Sequence, residues 1–180
     1  ENVYQTLIKA LSAAHDTNPY ASAETLRALD ATIKAALTTP IEQLATAVRQ
    51  RYEAAARAGI PTRAQPIPDP AVLEQIRTWK AVRDQITEVL TAIQVMEMPN
   101  ADRVYHRIRD NTALLETLIE YDRNLLGHAQ PIEELTAQVH HMADEASETV
   151  RTTLTPVLSG LSQALRKRQD LIRSLGVRDS

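Results

Sequence analysis

Histidine and carboxylate at helical spacing are the first residues that could do chemistry. His140 and Asp144 stand four residues apart, as do His141 and Glu145, and Asp102 and His106. On a helix each such pair meets on one face and offers two metal ligands. Adjacent residues point about 100° apart, so the pairs at 140 and 141 cannot share one ion. A di-iron site in a bundle needs Glu-x-x-His twice, with two further Glu on facing helices. Neither motif is present. These side chains read as solvated polar groups, and no metal or cofactor is expected.

Other candidates reduce to packing or to helix ends. Asn111 falls on the seam between Ile108 and Leu115, where a polar residue sets register as it does in coiled coils. Trp79 lies on the apolar stripe of its own stretch and reads as core. Arg166, Lys167, Arg168, Arg173 and Arg178 make the tail basic, which suits the negative end of a helix dipole. No Ser-His-Asp order, glycine-rich phosphate loop or pair of buried carboxylates can be argued from spacing. No catalytic residue is assigned, and the chain is read as not an enzyme.

Composition says what must position these residues. Of 180 residues 43% are apolar and 24% charged, with 26 Ala, 4 Gly, no Cys and no Phe. Ala is the best helix former, and aromatics at 3% leave little for a sheet to pack. The net charge of −3 lacks the clustered basic excess of a nucleic-acid binder, and none is expected. No Cys means no disulfide and no thiolate, but it does not fix a compartment. No apolar run approaches the roughly 20 residues that span a bilayer. Glu1 in place of an initiating Met is what a processed or excised piece would show.

Gly and Pro divide the chain into segments. A short helix over about 2–15 carries Val3, Tyr4, Leu7, Ile8 and Leu11 on one face. A second stretch, 22–58, keeps Leu26, Leu29, Ile33, Leu37, Ile41, Leu44, Val48 and Tyr52 in phase straight through Pro40. That continuity predicts a kinked helix without a break. Residues 59–69 hold Pro61, Pro66 and Pro68 just before Pro70 and read as a semi-rigid linker. Three long stretches follow: 70–98, 101–126 and 131–175, with turns at Met98–Asn100 and before Pro131. Gly59, Gly127 and Gly176 follow apolar stretches, where a left-handed capping residue is expected. In the last stretch the heptad phase fails near Ala146, yet Val139, Val150, Leu161 and Ile172 recur every eleven residues. An eleven-residue repeat suits one nearly straight helix, bent at Pro156.

The fold class is all-α: an elongated antiparallel bundle of four long helices plus a short N-terminal helix, in one domain over 1–180. At 1.5 Å per residue the long stretches measure roughly 55, 43, 39 and 67 Å, so the last overhangs its neighbours. In these proportions, and in being rich in Ala and poor in aromatics, the chain resembles the five-helix rod modules of talin- and vinculin-type adhesion proteins. The likeness is one of architecture.

The architecture predicts a non-catalytic interaction module of a larger scaffold, cytoskeletal or assembly protein, receiving protein partners through helix grooves. The alternatives are an extracytoplasmic ligand-sensing bundle of a membrane receptor or a cysteine-free helical surface protein. The overhang predicts where a partner or second copy binds: Leu161, Leu165, Arg168, Ile172 and Leu175, with helix 2–15 covering part of that stripe.

Overall fold

A computed structural model of the chain describes residues 3–12, 23–96, 112–141 and 147–176. The regular elements there are α-helices: α1 Val3–Ser12, α2 Ala23–Ala58, α3 Pro70–Gln94, α4 Thr112–Ala129, α5 Ile132–His141 and α6 Ser147–Gly176. No strand occurs among the described residues, and the fold is an all-α bundle. The turn at Met98–Asn100, Asn111 and the Asp102–His106 pair lie outside the described residues.

Local chemistry sets the ends. Asp69 caps α3, its Oδ1 accepting from the Ala71 amide at 2.8 Å, and Pro70 occupies the first turn, where its missing N–H costs nothing. Pro40 sits inside α2, which runs unbroken on both sides of it, as the unbroken apolar phase predicts. The glycines behave otherwise than expected. No glycine among the described residues has a positive φ, so Gly59 and Gly127 are not left-handed caps. Gly59 packs closely against α3 instead: a Cβ there would lie 2.7 Å from Ile76 Cδ1, so that terminal methyl would have to shift.

Contacts fix the topology. Lys34 Nζ donates to the Gln94 carbonyl, and the Arg83 guanidinium lies 4.7 Å from the Tyr52 ring centre, so α2 and α3 are antiparallel neighbours. Asp30 of α2 lies level with Asp122 of α4, both bound to Arg168. Further along α2, Arg51 donates to the Val139 and His140 carbonyls at the end of α5. α4 and α5 therefore follow one another along a single corner, parallel to α2. α6 returns beside them, with Arg168 at Asp122 and Gly160 at His128. The four rods alternate in direction, and α3 and α6 lie side by side. α2 and α6 stand across the diagonal.

This corrects the reading of 131–175 as one helix. Pro131 removes a donor and interrupts the rod between α4 and α5, but the chain does not fold back there. It reverses between α5 and α6, where the heptad phase fails. Val139 and Val150 thus belong to different helices, and the eleven-residue repeat across them is coincidence. α1 also differs from expectation: its main neighbour is α4, and Leu11 is buried in the common core. The core is otherwise the seam residues of the four rods, from Ile33, Leu37 and Ile41 of α2 to Leu154, Leu158 and Leu161 of α6. Trp79 is in it too, as its position on the stripe suggests.

Candidate functional site

The residues predicted to form an open ridge on the last helix are inside the molecule. Leu161, Leu165 and Ile172 are at most 4% exposed, and Arg168 is fully buried. The expectation that they await a partner is corrected by their coverage. α6 is shorter than the predicted 131–175 helix, and α3 and α4 flank it. Leu175 lies in the last turn of α6, and its side chain is not among those described.

Arg168 instead organises a buried ionic cluster. From α6 it reaches across the diagonal: Nη2 donates to Asp30 Oδ1 of α2, and Nε donates to Asp122 Oδ1 of α4 at 2.5 Å. Asp30 is 2% exposed and Asp122 fully buried. Asp30 Oδ2 and Arg168 Nη1 have no hydrogen-bond partner among the described residues. Burial pushes the Asp30 carboxyl up to about 6, against the opposing pull of Arg168, and the charge of Asp122 pushes it further the same way. Burial alone would lower the basicity of Arg168, but the two carboxylates outweigh it, and the guanidinium stays charged. Among the described residues two carboxylates share this one guanidinium, and Asp122 has a further interaction besides.

This cluster escaped the sequence reading, although its signal was present. Asp30 stands in the stripe of α2, one step before Ile33, and Asp122 falls between Leu118 and Leu125. Charges of opposite sign on the seams of separate helices point to a buried pair. Pairing them requires knowing which helices meet, and at what level.

Elsewhere the surface offers open, polar clefts. One of about 280 Å³ between α4 and α6 is lined by Tyr121, Asn124, His128, Gln163 and Lys167, with Gly160 as its floor. A Cβ on Gly160 would lie 2.9 Å from the His128 ring, so glycine lets the imidazole lie against α6. Another of about 190 Å³ between α3 and α6 is crossed by Arg166 Nη2 donating to Glu88 Oε1 at 2.5 Å. Ligand pockets are usually larger and mainly apolar. Among the described residues no group of three or more His, Cys, Asp or Glu could hold a metal. His140 and His141 are exposed at the end of α5, and Asp144 and Glu145 lie outside the described residues. No helix described is long and apolar enough to cross a membrane.

Of the four large apolar side chains exposed among the described residues, three lie around the loop joining α2 to α3, and the fourth, Val95, follows the far end of α3. Ile60 is 62% exposed and Ile67 79%, and Leu73 follows in the first turn of α3. Between the two isoleucines a tight turn closes: the Thr62 amide donates to the Gln65 carbonyl at 3.0 Å, and the Gln65 amide donates back to Thr62. Pro61, Pro66 and Pro68 fix φ along the loop. Comparison with protein-family models, curated proteins and solved structures gives no match.

Proposed function

We propose that this chain is a non-catalytic helical-bundle interaction module of a larger scaffold, cytoskeletal or assembly protein, meeting a protein partner through the α2–α3 loop. The exposure of Ile60 and Ile67 carries the reading. Leaving two β-branched aliphatic side chains in water forgoes about 1.5–3 kcal/mol each relative to burial. The chain around them is stiffened by three prolines, so docking it costs less ordering entropy than docking a flexible loop. The interior supports the same reading, because the chain's own side chains fill it and the clefts described are open and polar.

A photoreactive group placed at Thr62 tests this in a lysate of the source cell. The expected result is one discrete protein adduct, lost in an Ile60→Ser, Ile67→Ser variant whose melting temperature is unchanged. An adduct that survives both substitutions, or no adduct at all, overturns the loop as the contact. Saturable stabilisation by a small molecule would favour the ligand-sensing reading instead.

A further inference from the structure

We propose that the partner meets the α2–α3 loop with an apolar groove rimmed by carboxylates: Ile60 and Ile67 enter the groove, and the Arg63 guanidinium pairs with the rim. This rests on the reading of the loop as the contact and names the chemistry of what it contacts. Arg63 and Ala64 form the tip of the tight turn, which the Thr62 and Gln65 backbones close in both directions. The stretches carrying Ile60 and Ile67 leave that turn on its two sides. Arg63 is exposed and, among the described residues, makes no hydrogen bond or ion pair.

The charges that flank the loop in sequence are already engaged. Asp69 Oδ1 accepts from the Ala71 amide and caps α3. Glu74 lies 3.7 Å from Arg77 in the same turn of α3. Arg57 Nε donates to the Glu53 carbonyl at 3.2 Å, one turn back in α2. Between them, Arg63 is the only charged residue in 59–68. The loop therefore presents two exposed isoleucines and one uncommitted cation.

That combination selects the partner surface. A purely apolar groove would bury the isoleucines but strip water from the guanidinium beside them, and a desolvated charge without a partner is costly. A carboxylate on the rim offsets that cost with a charge-assisted, bidentate pair, which also fixes how the loop sits. Pro61, Pro66 and the closed turn hold the loop in one shape, so little ordering is left to do on docking. An anionic lipid surface is the rival match in charge. One cation and two isoleucines fall short of it, because stable anchoring takes a polybasic cluster or a longer apolar insertion.

The whole chain with its photoreactive group at Thr62, carrying Arg63→Glu, Arg63→Gln or Arg63→Lys, tests the rim in the same lysate at about 50 mM and about 500 mM salt. Arg63 has no contact to lose among the described residues, so all three variants are expected to melt with the unaltered chain. At the lower salt Arg63→Glu is expected to cut the adduct about tenfold or more, and Arg63→Lys to keep most of it. High salt should narrow the gap between the unaltered chain and Arg63→Gln. The crosslinked partner peptide, read by mass spectrometry, should carry Asp or Glu beside apolar residues. An adduct lost with the isoleucines but indifferent to Arg63→Glu and to salt overturns the acidic rim and leaves the loop contact standing. No adduct at all overturns both. Sedimentation of the chain with phosphatidylcholine vesicles containing about 30% phosphatidylserine, abolished by Ile60→Ser, Ile67→Ser, overturns the protein groove in favour of a lipid surface.

Discussion

Arg168 shows why a buried charge is not a simple stabiliser. Its bonds to Asp30 and Asp122 recover only part of what burying three ionised groups costs. Breaking the cluster is another matter. Arg168→Met keeps the length and apolar stem of the side chain but takes the guanidinium away from two buried carboxylates. Urea denaturation is expected to show a loss of about 3–5 kcal/mol, as for other broken buried pairs. Replacing all three members by apolar residues (Asp30→Leu, Asp122→Leu, Arg168→Met) should recover part of that loss, because none of these three charges is left in the core. A triple variant no more stable than Arg168→Met would show that the cluster fits only polar side chains.

At the scale of the element, the two prolines inside helices make a controlled comparison. Each lacks a backbone donor, and a proline in a helix interior costs about 3 kcal/mol relative to alanine. Pro156 in α6 is exposed, so Pro156→Ala restores a bond toward the Thr152 carbonyl and gives up little packing. Pro40 in α2 is buried, and its replacement surrenders ring methylenes worth about 0.8 kcal/mol each. Both substitutions are expected to raise the melting temperature, Pro156→Ala by more. Calorimetry of the two variants checks the order, and a fall at either site would mean that the proline ring is required for packing.

For the molecule as a whole, α1 is the most lightly held of the described helices. It rests chiefly on α4 and contributes Leu11 to the core, with Leu7 and Ile8 packed against it. With so few apolar contacts its net contribution is small, on the order of 2 kcal/mol, equivalent to about 4–8 °C in a chain of this size. Deleting residues 1–20 should lower the melting temperature by that amount and leave a bundle whose uncovered α4 face self-associates. Light scattering at rising concentration reads the association. A monomer of unchanged stability would mean that α1 covers nothing of consequence.

The sequence by itself determined the elements. Helix is dictated locally, by Ala and by an apolar phase that Pro40 does not disturb, and the Pro-rich linker at 59–69 is equally local. Seam residues such as Ile33, Ile86 and Leu158 are legible for the same reason, because periodicity alone says which face turns inward. Tertiary structure decided where the chain reverses and what covers what. Pro131 interrupts a helix wherever it stands, but whether the next rod continues or folds back depends on the free surface of α2. The same dependence hid the true state of Leu161, Leu165 and Ile172, which look unpartnered only if α6 is taken as too long. It hid the pairing of Arg168 as well. Two aspartates ninety-two positions apart become neighbours of one arginine only when three helices are aligned at one level, and alignment is a property of the packed bundle, not of any one stretch of chain.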